Sequence, residues 1–324
     1  LMLKNSNPII IVAGEPYSIF LEILFKSLKN NKYKKPIILI VSKDLLMKQM
    51  KALNFNFKLN VLDKNKINNS HIDLNIINII DVRFDSKKTF DKISNKSNFY
   101  ISECFKIALD LLSHKKYAGL INGPISKKNF LNIKYLGITE FLAEKTNKKN
   151  KVGMLIYNKK LSVSPMTTHV PLKDVHKNIT KKKIIKQVEL IKKFYLKKFK
   201  KNPKIAITGL NPHCESNYKS SEEEKIIKPA IKYLEGKKYK IFGPLSADTV
   251  FMKEQFKKYD VIIGMYHDQV LTPAKSLFGF DAINITLGLP FVRISPDHGP
   301  NWSMLGKNKS NPESLIKALK FFDK

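Results

Sequence analysis

Two residue types are nearly missing from this 324-residue chain: it has two cysteines, Cys104 and Cys214, and two arginines, Arg83 and Arg293. Cysteine this sparse excludes a disulfide scaffold and fits a reducing, cytoplasmic compartment. The thirteen glycines never form a Gly-x-Gly. The Rossmann glycine motif, which lets a backbone approach a pyrophosphate, is therefore absent. No apolar stretch approaches the roughly 18–20 residues that span a bilayer. The early run Pro8–Ala13 is short and meets Gly14-Glu15-Pro16 rather than a cleavage site, so neither a secretory leader nor a membrane partner is expected. Acidic residues are scarce as well, 27 against 59 lysines plus arginines, which gives a formal net charge of +32.

That charge would ordinarily point to nucleic acid. Yet 59 − 2 = 57 of the cations are lysine, spread along the whole chain and densest at 145–151 and 181–201. Those segments read as solvated loops and helix faces, and the abundance of Asn and Ile beside them fits AT-rich codons. No aromatic–basic interleaving of the RNA-binding kind appears. A lysine-rich nucleic-acid-binding protein is the alternative from a different class, but no specific nucleic acid is expected as partner. The charge can still steer anionic substrates inward.

What is present is a soluble α/β pattern. The length suits two modest domains, each with its own core. Strand-like runs at Pro8–Ala13, Pro36–Val41 and Gly119–Ile121 alternate with helix-like segments at Ser18–Lys29 and Phe99–Leu112, the signature of parallel βαβ units. The middle changes character. Gly153–Tyr157 and Leu161–Met166 flank the short turn Asn158-Lys159-Lys160 and read as an antiparallel hairpin. A long helix over Lys181–Lys200, a strand at Lys204–Thr208 and a C-terminal helix at Pro312–Phe322 follow, while Asp63–Asp73 reads as an irregular connection.

Chemistry gathers at strand exits, where open α/β folds build their sites. The run Leu161–Met166 leads into Thr167-Thr168-His169, Lys204–Leu210 into Asn211-Pro212-His213, and Val261–Met265 into Tyr266-His267-Asp268. Three of only seven histidines in equivalent positions make a three-imidazole metal site plausible, against the default of structural hydrogen-bonders. Cys214 is a conceivable fourth ligand. Arg293 stands out because nearly every other cation is lysine; a planar bidentate fork is what carboxylate or phosphate requires.

These residues sit in words that resemble the 4-hydroxythreonine-4-phosphate dehydrogenase family of pyridoxal phosphate biosynthesis. The words are Gly14-Glu15-Pro16, NGPISK (122–127), GITEFLAE (137–144), TTHVPL (167–172), GLNPH (209–213), GPLSADTVF (243–251), YHDQ (266–269), NITLGLPFVR (284–293) and DHG (297–299), spanning nearly the whole chain. The resemblance implies two α/β domains flanking a cleft, like those of isocitrate and isopropylmalate dehydrogenases, in a homodimer. The expected division is 1–135 with about 295–324, and about 136–294.

The same resemblance implies a divalent metal held by His169 and His213 of one subunit and His267 of the other. Zinc is the first expectation, with magnesium or cobalt as alternatives, although imidazole ligation favours softer ions than magnesium. It further implies NAD or NADP as cofactor, to which no residue is assigned. The implied substrate is 4-phosphooxy-threonine, a small phosphorylated amino acid, and the product is 3-amino-2-oxopropyl phosphate plus CO2. Thr139, Lys275, Asn284 and Arg293 match the family's substrate contacts. Lys275, Asp248 and Asp268 are the catalytic candidates, the two acids as orienters of ligand histidines. Asp297-His298 is left out of the metal set.

Three departures from the family bear on substrate and efficiency. Ile138 stands where a substrate-binding His is usual, and losing such a contact is worth on the order of 1–3 kcal/mol. Ser18-Ile19-Phe20-Leu21-Glu22 replaces the usual Gly-Ile-Gly-Pro-Glu, and Cys214-Glu215-Ser216-Asn217-Tyr218 replaces a glycine-rich loop. Two alternatives stay open: the same chemistry on another phosphorylated hydroxy acid, such as a four-carbon sugar-acid phosphate, and an inactive, degenerate member.

Overall fold

A computed structural model describes residues 7–67, 71–131, 135, 137–214, 219–279, 281–296 and 299–323. The chain divides into two units, one of residues 1–147 with 289–324 and one of residues 148–288.

The first unit is built on strands β1 (Ile9–Val12), β2 (Ile37–Val41), β3 (Leu59–Val61), β4 (Ile77–Asp81), β5 (Gly119–Asn122) and β12 (Arg293–Pro296). Their order is β3-β4-β2-β1-β5-β12, and each neighbouring pair is parallel. β1, β2 and β5 are buried at every residue, and β1 and β2 accordingly read as continuous Ile/Leu/Val runs rather than alternating ones. Helices α1 (Phe20–Lys29), α2 (Lys43–Ala52), α3 (Asn98–Ser113), α4 (Ile138–Lys145) and α10 (Glu313–Phe322) cover the sheet. Ile10, Val12, Ile38, Ile40 and Leu120 share a core with Tyr100, Ile101, Phe105 and Ala108 of α3 and with Phe141 and Leu142 of α4. By strand periodicity, Ile9, Ile11 and Leu39, none of which retains accessible surface, face the other way.

The second unit contains β6 (Gly153–Tyr157), β7 (Ser162–Pro165), β8 (Ile205–Thr208), β9 (Ile241–Leu245), β10 (Val261–Gly264) and β11 (Ile283–Leu287). The strand order is β11-β6-β7-β10-β8-β9. β6 pairs antiparallel with β11 and with β7, the latter through Ile156 and Val163, as the short turn requires. Asn158 closes that turn, its Oδ1 accepting from the Lys160 amide (2.8 Å) and its Nδ2 donating to the Asp281 carbonyl. β7, β10, β8 and β9 form a parallel run. Helices α5 (Val175–Asn178), α6 (Lys181–Phe199), α7 (Lys228–Gly236), α8 (Lys253–Phe256) and α9 (His267–Phe278) connect them. α6 starts at a Thr180 cap, whose hydroxyl accepts from the Lys183 amide at 3.3 Å.

The units meet in sequence at Asn147/Lys148 and Gly288/Leu289, not at 135/136 and 294/295. The reason is packing. Phe141, Leu142 and Ile138 of α4, together with Leu289 and Phe291, belong to the core of the first unit. Among the described residues, no helix is long and apolar enough to cross a membrane.

Candidate active site

Strands β7, β10 and β8 lie side by side in that order and are parallel, so their C-terminal ends leave the same edge of the sheet, about 4.8 Å between neighbours. His169, His267 and His213 follow these three ends. His169 lies exposed four residues beyond Pro165, and His267 is the first residue of α9. His213 has left-handed backbone (φ 58°), as does Cys214 (φ 56°), so the chain folds back sharply after Pro212.

Carboxylates accompany the His213 and His267 rings. His213 Nδ1 faces Asp248 Oδ2 at 3.7 Å, and His267 Nδ1 lies 2.6 Å from Asp268 Oδ1. A hydrogen bond from Ser246 Oγ to Asp248 Oδ1 (2.5 Å) holds the Asp248 carboxyl below the usual carboxylate range, with His213 adding to the effect. Among the described residues of one chain, no three His, Cys, Asp or Glu side chains are gathered where they could share an ion. Each imidazole occupies its own strand exit. Cys214 does not join His213. Its Sγ packs so tightly on Gly209 that a Cβ there would approach to 2.6 Å, and burial raises its thiol.

The loop bearing His213 is held from below by Glu223. This fully buried carboxylate lies in a π-helical turn, Glu223–Ile227. Its Oε1 accepts from the amides of Leu210 (2.7 Å) and Asn211 (2.9 Å), and its Oε2 from Asn211 Nδ2 (2.8 Å). Burial pushes this carboxyl up, but the Asn211 and Leu210 donors outweigh it and leave it lowered.

Two further predicted residues lie elsewhere in this unit. Lys275 is exposed on α9, eight residues and about 12 Å along the axis from His267. Asn284 is the second residue of β11, paired with Ile156, rather than a turn residue. Its Oδ1 is buried without a hydrogen-bond partner.

In the first unit, Arg293 and Thr139, 154 residues apart, come together. Arg293 opens β12 and is 1% exposed; its Nε donates to Asn122 Oδ1 (2.7 Å) and its Nη1 to Thr139 Oγ1 (3.4 Å). Burial lowers its guanidinium to about 10, opposed by the Glu140 charge, so it remains cationic at neutral pH. Thr139 sits in the first turn of α4, where amides without intrahelical partners favour anions. Ile138 beside it packs onto the core of this unit. Glu15 of the Gly-Glu-Pro turn is also buried, accepting from Ser97 Oγ at 2.7 Å, and burial raises its carboxyl to about 7. Asp297, His298 and the segment 215–218 lie outside the described residues.

Asn122, Glu223 and Gln269 went unassigned in the sequence. Asn122 and Gln269 stand in the motifs NGPISK and YHDQ, the first closing β5 and the second in the first turn of the helix that follows β10; that position was the available signal. Glu223 lies outside every such word, and only its buried hydrogen bonds reveal it.

Comparison with known proteins adds the following. The family described as pyridoxal phosphate biosynthetic protein PdxA matches residues 32–322. A 4-hydroxythreonine-4-phosphate dehydrogenase from Sulfurihydrogenibium sp. (strain YO3AOP1) is 40% identical over 316 residues, 95% of each chain. One from Wigglesworthia glossinidia brevipalpis is 34% identical, covering 98% of this chain and 96% of its own. The crystal structure of a 4-hydroxythreonine-4-phosphate dehydrogenase from Klebsiella pneumoniae superposes with TM-score 0.85 at 27% identity, covering 98% of this chain and 97% of that one. In fold alone, isocitrate dehydrogenase from Methylococcus capsulatus is similar (TM-score 0.50, 9% identity, 96% of this chain and 83% of that one).

Proposed function

This chain belongs to the pyridoxal phosphate biosynthetic PdxA family, and on that premise we propose that it is a 4-hydroxythreonine-4-phosphate dehydrogenase. It oxidises 4-phosphooxy-L-threonine at C3 with NAD or NADP, and the resulting 3-oxo acid loses CO2 to give 3-amino-2-oxopropyl phosphate. The observation that carries this reading is the family match over residues 32–322, in a chain whose His169, His213 and His267 each follow the end of a parallel strand.

The donor set fits a divalent cation. A carboxylate at Nδ1 fixes an imidazole and leaves Nε2 for a metal, the arrangement seen at His267 and approached at His213. His169, His213 and His267 would hold the ion. By the family resemblance, His169 and His213 of one subunit and His267 of its partner in a homodimer would make up the set. Imidazole donors favour zinc over cobalt and magnesium. Bound nicotinamide supplies a hydride acceptor, and a bound cation supplies Lewis acidity.

The chain's own residues do the rest. Arg293, backed by Asn122, and Thr139 bind an anionic group of the substrate. Asn284 Oδ1, buried and unpartnered, accepts from a substrate hydroxyl or ammonium. Asp248 and Asp268 orient the imidazoles. Lys275 moves the proton: the C3 hydroxyl gives one up as hydride leaves, and the carbon that loses CO2 takes one up. The two free thiols accord with a cytoplasmic location. The deciding assay is NADH or NADPH formation from 4-phosphooxy-threonine, with zinc and after chelation. Turnover that is lost on chelation and in His213→Ala supports the reading. A folded, zinc-loaded protein without turnover redirects the search to four-carbon sugar-acid phosphates.

A further inference from the structure

We propose that Gln269 is a positioning residue that fixes the His213 exit against the His267 exit of the same chain, and so holds one ligand for each of the dimer's two sites; the inference rests on the reading of these histidines as metal ligands shared between subunits. Gln269 lies two residues beyond His267 in the first turn of α9. Its Oε1 accepts from the Met265 amide (2.7 Å) and from Thr208 Oγ1 (2.9 Å), while its Nε2 donates to the Gly209 carbonyl (2.8 Å). Thr208 and Gly209 end β8 and begin the loop to His213. Met265 directly follows β10 and begins the approach to His267. One side-chain amide thus joins both exits.

Backbone pairing explains why such a bridge is needed. The β10–β8 register runs Val261–Ile205, Ile262–Ala206, Ile263–Ile207 and then stops. Beyond it the strands carry no ladder bonds to one another, and the Gln269 amide occupies that gap. The β10–β7 pair needs no such device. Its register continues to Gly264–Pro165, the Met166 amide donates to the Gly264 carbonyl (2.8 Å), and Thr167 Oγ1 donates to the Met265 carbonyl (2.9 Å). Gly264 makes room for the bridge, since a Cβ there would come within 2.4 Å of Val270 Cγ1 and 3.0 Å of Gln269 Oε1.

The chemistry is specific to glutamine. The bridge needs an acceptor with two lone pairs and a donor on the same planar group. Glutamate keeps the acceptors but turns an oxygen towards the Gly209 carbonyl. Alanine leaves the Thr208 hydroxyl, the Met265 amide and the Gly209 carbonyl without this partner. Thr208→Val removes one bond of the three and leaves Gln269 in place.

The test is zinc affinity of the full-length protein, stripped and then titrated against a chromogenic chelator, for wild type, Q269E, Q269A and T208V. Cobalt(II) absorption of each loaded protein accompanies it, because ligand-field bands report coordination geometry and do not change with the folded fraction. The expected result is roughly a 10–100-fold loss of zinc affinity in Q269E and Q269A, the range for groups that orient metal ligands, with shifted cobalt bands and a smaller loss in T208V. If Q269A does not fold, Q269E and T208V decide. Wild-type affinity with unshifted cobalt bands in the folded variants overturns the role of Gln269 and leaves the metal reading standing. A wild-type chain that takes up no zinc overturns the metal reading, and this inference with it.

Discussion

At the scale of single residues, the scarce arginine is where burial and charge meet. Arg293 is almost wholly enclosed, and its Nε is satisfied by Asn122 Oδ1, itself buried. Asn122→Leu removes that acceptor and frees the fork to rotate. A hydrogen bond to a charged group is worth about 1.5–3 kcal/mol, so KM for the phosphorylated substrate should rise about 10–100-fold; steady-state kinetics read it, and an unchanged KM removes Asn122 from the site. Glu15 gives a pH signature. Burial raises its carboxyl from 4.5 to about 7 in the folded chain. Between those values the folded form binds more protons than the unfolded one, so stability falls as pH rises from 4.5 through about 7. The full effect is of order 3 kcal/mol. Glu15→Gln should cancel it, so the variant's gain in urea midpoint over wild type should be larger at about pH 8 than at about pH 5; equal gains at both would refute the assignment. The arginine's importance was legible from its rarity. Its partners were not, because nothing along the chain announces that Asn122, Thr139 and Arg293 become neighbours.

At the scale of elements, continuous apolar runs and short polar turns made most of the architecture readable. β1, β2 and β10 fall inside the expected runs, β5 extends one residue past its own, to Asn122, and the β6–β7 hairpin forms around Asn158. β3 and β4 were not anticipated. β3 has three residues, none fully buried, and β4 follows an Asn-rich segment that masks its Ile77–Ile80 run. α4 shows how an element reconciles two demands. Its first residue, Ile138, sits where relatives are expected to place a substrate-binding His, yet it packs onto the core beneath Thr139. Ile138→His should therefore lower thermal stability by about 1–3 kcal/mol, while lowering KM if an imidazole can reach the anion. Paired melting and kinetic measurements check it, and a fall in stability with no fall in KM shows that the helix start has been rebuilt around isoleucine.

At the scale of the whole molecule, the shared-site reading makes a prediction that no single-chain arrangement allows. In a mixed population of His213→Ala and His267→Ala subunits, each mixed dimer carries one doubly damaged site and one intact site. Random exchange should restore about a quarter of wild-type activity, measured after co-refolding or co-expression; no recovery from two folded, dimerising variants counts against sharing. The +32 charge, by contrast, describes a lysine-covered surface and bears on encounter with anions rather than on the reaction. The amino-acid sequence by itself determined the α/β class, the three histidines beyond strand ends and the family, because apolar periodicity and short motifs are local properties of the chain. Only the tertiary structure decided that β7, β10 and β8 lie side by side, that Arg293 meets Asn122 and Thr139, and that Gln269 bridges two exits. Those are long-range contacts set by strand order and packing, and neither is written in any one stretch of residues.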